Sequence, residues 1–385
     1  MNIVIEARAL AMQGGGVKTY TQELLRALVP YQSQADMTVV CAGDEGIVAE
    51  GFGYNVVQVP LTQPWQIFTN SWLSKDVQQA LVPIKPDVVH YTKAAVPSSS
   101  PWPSIVTIHD VIPLFLPQSQ QLAARYYWPR ALRAAATKAT HIMTISEASK
   151  RDIIKHLHAP ADKITVTPLA VNTSLFTPQS PAQVATALQA LQIITPYILC
   201  VATRDMRKNI SGLLRAFAMI AKDVPHDLII AGKKALRRDH SEDLLRQLGL
   251  QERVKFLEFV PFEHLPALYS GADLFVWPSI YEGWGFPVLE AMACGTPVLV
   301  SNGGALPEVV GDAGETVKFS TDDLPDRLSD KLFERALADH MALILHDKHK
   351  QALMKQKGLA HVQTFSWARV AAATWEVYKA VAAQP

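Results

Sequence analysis

Short apolar runs alternate with turns and amphipathic segments along most of the chain, and this rhythm restricts the fold more than any other feature. A strand with apolar residues on both faces needs cover on both faces. Strand–turn–helix repeats therefore imply parallel sheets with helices on each side. In the first half NIVIEA (2–7), MTVVCA (37–42), DVVHY (87–91), SIVTIHD (104–110), HIMTIS (141–146) and KITVTPL (163–169) read as strands. A helix is expected from about Val17. Ser146 is expected to cap another, whose periodic pattern runs from Ala148 to Leu157. The polar, Pro-rich stretch NTSLFTPQSPAQ interrupts the rhythm. It restarts with PYILCVAT (196–203), a helix over 210–221, DLIIAGK (227–233), VKFLEFV (254–260), DLFVWPS (273–279) and TPVLVS (296–301). Two long helical stretches follow from about Asp323, then SWARVAAATWEVYKAV (366–381). The expected fold is α/β: two facing, doubly wound Rossmann-like domains, residues 1–172 and 196–365, with a linker over 173–195 and a last helix over 366–385. Ligands of such sheets bind at the carboxyl ends of the strands, where the strand order reverses, which here means a cleft between the domains.

Bulk properties exclude several classes. With 36 Lys plus Arg against 35 Asp plus Glu among 385 residues, the net charge is +1, too balanced for a nucleic-acid binder. Three widely spaced cysteines, Cys41, Cys200 and Cys294, form neither a disulfide framework nor a zinc pattern, and a reducing compartment is expected. No D-x-D, H-E-x-x-H or C-x-x-C pattern occurs, so no metal cofactor is expected. The start MNIVIEARAL reads as a first strand and not as a leader, and no apolar run is long enough to span a bilayer. The expected location is the cytoplasm, with peripheral contact to the inner face of a membrane left open. The segment 121–139, basic and aromatic, could touch an anionic surface, although a surface helix with its aromatics packed inward reads better. Pro129 weakens it as one continuous helix.

Four motifs carry chemistry. Gly14, Gly15 and Gly16 precede a helix, where free N–H groups suit a phosphate or a hydroxylated ligand. The spacing matches neither a dinucleotide fingerprint nor a P-loop. His109 and Asp110 end a strand, although a histidine there is more often structural. Arg204, Arg207 and Lys208 cluster before a helix N-terminus. Cations at that position oppose the helix dipole, and an anionic ligand would explain them. Last, YEGWGFPVLEAMACGTPV holds Glu282 and Glu290 eight positions apart. In one helix that spacing would put them about 80° apart. Gly283 and Gly285 argue against one helix. Pro287 is better placed as the first residue of a helix to about Cys294, with Glu282 in the loop and Glu290 in the first turn. The amides of about Gly285 to Leu289 would then be open between two acids that can accept hydroxyl protons.

Together these stretches resemble the retaining glycosyltransferases of the E-x7-E (group 1) family, built on the GT-B fold, and look most like bacterial mannosyltransferases of polysaccharide and lipopolysaccharide assembly. The resemblance runs through GGGVKTY, TIHDVIPL, ISEASKRDI, ATRDMRKN, LPALYSGADLFVWPS and the block from Pro278 to Gly314. It implies transfer of a hexose, most often mannose, from a nucleotide-diphosphate sugar such as GDP-mannose to an oligosaccharide or lipid-linked glycan acceptor. It implies that Glu290 holds the ribose hydroxyls and that Glu282 contacts the donor sugar, helped by backbone from Gly283, Trp284, Gly285, Phe286, Pro287 and Val288. Lys208, assisted by Arg207, would neutralise the diphosphate without a metal. His109 would lie near the transferred sugar, and Gly15 and Gly16 near the donor phosphates and acceptor. The last helix would cross back to the first domain. Thr203 stands where many members carry arginine, which leaves a phosphate role for Arg204 open, and Trp284 replaces a usual phenylalanine. A catalytically silent nucleotide-sugar-binding subunit and a sugar-nucleotide epimerase of the same fold remain as alternatives. Acceptor choice is expected in loops 60–75 and 111–128.

Overall fold

The computed structural model describes the chain except residues 13, 43–45, 62–70, 118–121, 235–239, 325 and 385, and describes only the backbone of 46, 47, 122 and 123. Residues 62–70 of the first expected acceptor loop and 118–121 of the second therefore lie outside the described residues. The chain forms two compact units, residues 1–169 with 366–385, and residues 170–365.

The first unit holds strands β1 (Asn2–Glu6), β2 (Asp36–Cys41), β3 (Asn55–Gln58), β4 (Val88–Tyr91), β5 (Ser104–Thr107), β6 (His141–Thr144) and β7 (Ile164–Val166). They form one parallel sheet in the order β3-β2-β1-β4-β5-β6-β7. The second holds β8 (Tyr197–Val201), β9 (Asp227–Ala231), β10 (Val254–Leu257), β11 (Leu274–Trp277), β12 (Val298–Ser301) and β13 (Glu315–Val317), in the order β10-β9-β8-β11-β12-β13. Each sheet reverses its direction of winding once, between β1 and β4 and between β8 and β11. Those two points are where ligands of doubly wound sheets bind.

One face of the first sheet, with Val4, Val40, Val89, Tyr91 and Val106, packs on Trp72, Leu73, Val77 and Leu132. The other face carries His90. Its Nδ1 shares a hydrogen bond of 2.8 Å with the Tyr378 hydroxyl, and its Nε2 one of 2.8 Å with the Thr107 hydroxyl. Tyr20, from helix Gly16–Leu28, completes this buried chain with a 2.9 Å bond to Thr107. Tyr378 lies on helix Trp367–Ala382, so residues 366–385 belong to the first unit although they follow the second in sequence. Burial pushes the His90 imidazole down to about 3, so the ring stays neutral near pH 7.

Three expectations change. The stretch 173–195 is more than a linker, because helix Pro181–Ala190 forms within it. Ser180 and Gln183 make a capping box, Pro181 is preset for the first turn, and the helix packs on helix Leu265–Ser270. Pro129 does not break its segment: helix Leu122–Lys138 runs through it. Strands β3 and β13, three or four residues long, have too few apolar residues to stand out as periodic runs.

Removing the Tyr378 hydroxyl would leave His90 Nδ1 buried without its partner. Tyr378→Phe is expected to destabilise the first unit by about 1–3 kcal/mol in chemical denaturation. A loss near zero would show that the chain of bonds through His90 does not fasten the last helix.

Candidate active site

The second unit's reversal point brings two loops together. Beyond β8, the Asp205 carboxylate accepts the Arg207 N–H at 2.9 Å and caps the turn Met206–Lys208. Asn209 adopts a left-handed conformation (φ +53°), which asparagine tolerates better than most residues. Its side chain accepts the Gly212 N–H at 3.2 Å and starts helix Ile210–Ile220. These caps fix Arg207 and Lys208 at the strand's carboxyl end.

Beyond β11, the Glu282 backbone is held by the 303–305 segment. The Ala305 N–H donates to the Glu282 carbonyl at 2.9 Å. Gly304 has φ +62°, and a Cβ there would stand 2.2 Å from the same carbonyl oxygen, so only glycine fits. The buried Arg327 donates to the Ile280 carbonyl at 3.2 Å, and the Ile280 N–H donates to the Arg207 carbonyl at 2.9 Å. The two loops are thus tied to each other through their backbones.

Their side chains meet in a compact charged cluster. Glu282 Oε2 pairs with an Arg207 guanidinium nitrogen at 2.6 Å, and Oε1 accepts from Lys208 Nζ at 2.6 Å. Trp277 Nε1–H also donates to Oε1 at 3.2 Å, and the Lys208 ammonium sits 4.5 Å from the Trp277 ring centroid. A carboxylate oxygen offers about two lone-pair sites, so Oε1 is saturated and Oε2 keeps one. Glu282 can therefore offer a ligand one further acceptor site. Its larger effect is to orient two cations. Burial alone would raise the Glu282 carboxyl, but Arg207 and Lys208 hold it down at about 2. Burial and Arg207 lower the Lys208 ammonium, while Glu282 opposes them. Arg207, Lys208 and Glu282 together sum to +1, and the Asp205 carboxylate in the same turn offsets part of that field at Lys208.

Glu290 lies on helix Phe286–Ala293. That helix starts one residue earlier than expected, so Pro287 is its second residue and Glu290 its fifth, in the second turn and not the first. The Val288 and Leu289 amides are also not open, since both donate to the Gly285 carbonyl, at 3.0 and 3.2 Å. Tyr269 O–H donates to Glu290 Oε2 at 2.7 Å. Burial pushes the Glu290 carboxyl up to about 7, with the Tyr269 bond opposing. Trp284 is buried against the Phe365 ring, and among the described residues its indole N–H has no hydrogen-bond partner.

Gly15, Gly16 and His109 belong to the first unit. Gly15, at φ +101°, precedes helix Gly16–Leu28, and Tyr20 on that helix meets the His109 ring edge-on at 4.8 Å. His109 Nε2 bonds to the Thr92 carbonyl at 3.0 Å. Burial pushes the ring down to about 4, against the Thr92 carbonyl. A carbonyl only accepts, so Nε2 carries the proton and Nδ1 is left as an acceptor. Arg204 separates from the expected cation cluster. Its side chain is buried, pairs with Glu242 and Glu258 at 3.3 Å each, and stacks over the Phe256 ring at 4.4 Å. Tyr269, Trp277, Gly304 and Arg327 were not expected at this site. Among the described residues, no group of three His, Cys, Asp or Glu side chains could hold a metal ion, and no helix is long and apolar enough to cross a membrane.

Residues 191–361 match the family described as Glycosyl transferases group 1, and residues 14–175 match Glycosyltransferase Family 4. The O-antigen chain mannosyltransferase B of Escherichia coli is 34% identical over 72% of this chain and 70% of its own length. The chain belongs to the group 1 glycosyltransferases. This glycosyltransferase is also 30% identical to the MMP alpha-(1->4)-mannosyltransferase of Mycolicibacterium hassiacum, over 73% of the chain and 66% of the relative. Sucrose-phosphate synthase from Thermosynechococcus elongatus superposes with a TM-score of 0.76 at 20% identity, covering 99% of this chain and 98% of that one. Anabaena HepE, solved in complex with UDP and glucose, gives a TM-score of 0.76 at 20% identity, covering 99% of this chain and 100% of that one. These likenesses establish the GT-B fold.

Removing the Glu282 charge would leave two cations facing each other with little solvent. Glu282→Gln is expected to destabilise the second unit by about 3–5 kcal/mol in denaturant titration. Adding Lys208→Met should restore part of that loss, because the repulsion disappears. A single-variant loss below about 1 kcal/mol would show that the cluster behaves as an exposed surface pair.

Proposed function

We propose that this glycosyltransferase moves mannose from GDP-mannose, with retention of anomeric configuration, to a glycan or lipid-linked acceptor in cell-surface polysaccharide assembly. The carrying observation is the Arg207–Lys208 pair held by one carboxylate at the carboxyl end of β8. Breaking a sugar-nucleotide bond leaves a diphosphate with new negative charge. Fixed cations aimed at that charge lower the barrier without reorganising. Arg207 and Lys208 fill this role, so the reaction needs no divalent metal. Glu282 orients the cations and keeps one acceptor site for a donor hydroxyl. Glu290, as a carboxylate, receives the ribose hydroxyls. Neutral His109 presents Nδ1 as an acceptor for a sugar hydroxyl. Neither acid serves as a glycosidase-type nucleophile: both carboxylates of such a pair must flank the scissile bond, whereas Glu282 is committed to Arg207 and Lys208. The choice of mannose is supported by relatives named as O-antigen mannosyltransferases. The reaction belongs in the cytoplasm, with the enzyme peripheral to the inner face of the membrane where a lipid-linked acceptor would sit.

A donor-depletion screen over GDP-mannose and the common UDP-, dTDP- and ADP-sugars is expected to show turnover of GDP-mannose alone, unchanged by EDTA and giving a retained anomer by NMR. Lys208→Ala is expected to lower turnover by about 10²-fold or more, and Glu290→Ala to lose most activity, with both proteins folded. Turnover of UDP-sugars only would overturn the choice of donor; full activity in both variants would overturn the residue roles.

Glu290 also predicts a pH dependence. With its carboxyl at about 7, the ionised form that accepts two hydroxyls grows as pH rises. Between pH 6 and 8 donor Kd should fall by roughly tenfold, the span set by one titrating group. Glu290→Gln should flatten the profile; an unchanged slope in that variant would contradict the assignment.

A further inference from the structure

The reversal point of the first sheet carries a second acid–arginine–lysine group that the donor chemistry does not use. Glu6 is the last residue of β1, Arg8 follows it, and Lys93 lies two residues beyond β4. Glu6 and Tyr91 are register partners on the two strands that flank the reversal. The chemistry parallels the second unit, where Glu282 joins Arg207 and Lys208. Even the aromatic support recurs: the Lys93 ammonium lies 4.8 Å from the Trp128 ring centroid, as Lys208 lies over Trp277.

The two groups differ in one respect. Around Glu282 the charges are hydrogen-bonded to each other. Around Arg8 they are not. The Arg8 side chain is 5% exposed and the Glu6 side chain fully buried, with Arg8 Nε 3.5 Å from Glu6 Oε2, too long for a good hydrogen bond. Among the described residues, Arg8 Nε, Nη1 and Nη2 and Glu6 Oε2 have no hydrogen-bond partner, nor does Gln78 Oε1 nearby on Tyr91. Glu6 Oε1 is taken by the Arg8 backbone N–H at 2.9 Å. A buried guanidinium with every nitrogen unsatisfied is costly unless something binds it. One carboxylate faces two cations, so the missing partner is an anion rich in acceptors. A guanidinium fork beside an ammonium fits a phosphate or carboxylate. Lys93 is half-buried and Trp128 half-exposed, which gives the group a way out to solvent. Burial and then Arg8 lower the Lys93 ammonium to about 8, with Glu6 opposing.

We propose that Arg8 and Lys93 form an oxyanion subsite in the first unit that takes the phosphate or carboxylate of the acceptor. That group is a phosphate if the acceptor is a lipid-linked phosphate ester, and a carboxylate if it is an acidic sugar of the glycan. Only the word acceptor rests on the transferase reading; the anion site stands on the first unit's own residues.

Saturation-transfer NMR on the full chain tests this with two probes that each carry a methyl reporter, methyl phosphate and acetate. The parent is the Arg207→Gln/Lys208→Gln/Glu282→Gln triple variant, which silences the second unit's anion site without leaving a buried carboxylate unpaired. At least one probe is expected to bind the parent, and Arg8→Gln added to it to weaken binding tenfold or more. Lys93→Gln should weaken it as well, and Glu6→Gln should tighten it several-fold by removing the competing carboxylate. The stronger probe assigns the acceptor's group. The proposal is overturned if neither probe binds the parent, or if folded Arg8→Gln binds as the parent does. Should Arg8→Gln fail to fold, unchanged binding in both Lys93→Gln and Glu6→Gln overturns it equally. No readout depends on transfer, so failure of the mannosyltransferase reading would be seen separately.

Discussion

One carboxylate shared between two cations organises the second unit. Glu282 takes Arg207 on one oxygen and Lys208 on the other. Without it, two like charges would sit a few ångströms apart with little water to screen them. With it, both are oriented and one net positive charge remains. The supporting residues follow from that demand. Asp205 and Asn209 cap the turn that carries the cations, Gly304 lets a backbone approach the Glu282 carbonyl, and Arg327 closes the loop over Ile280. Each satisfies a backbone group that the tight crossing of two loops would otherwise leave unpaired.

Both sheets place an acid, an arginine and a lysine at their reversal points. In the second unit the acid lies across the reversal from its arginine and lysine, in the first the acid and arginine share one strand end and the lysine lies across, and in both a lysine rests on a tryptophan. The second unit pairs its charged side chains with one another through Glu282. The first leaves a buried guanidinium unsatisfied. His109, also in the first unit, is neutral because it is buried, and its proton is fixed on Nε2 by the Thr92 carbonyl.

Local sequence shows some of this and hides the rest. Strands β1, β2, β4, β8, β9 and β11 are legible because parallel strands buried on both faces leave unbroken apolar runs. Strands β3 and β13 are not, being short and flanked by polar residues. The helix inside 173–195 was hidden because its segment is polar and Pro-rich, although Ser180, Pro181 and Gln183 spell its start. Glu282, Glu290, Arg207 and Lys208 stood out through family resemblance and helix-breaker placement. Pairing did not. Nothing local says that Arg204 turns to Glu242 and Glu258 while Arg207 turns to Glu282, since the partners lie 38 or more residues away. Tyr269 could have been sought as the donor that a buried Glu290 requires, but only the fold brings the two together.

A crystal structure with bound GDP tests the central claim most directly. Diphosphate oxygens are expected within hydrogen-bond distance of Arg207 and Lys208, with the ribose hydroxyls on Glu290 and the Lys208–Glu282 pair retained. A diphosphate bound elsewhere, touching neither Arg207 nor Lys208, would contradict the account.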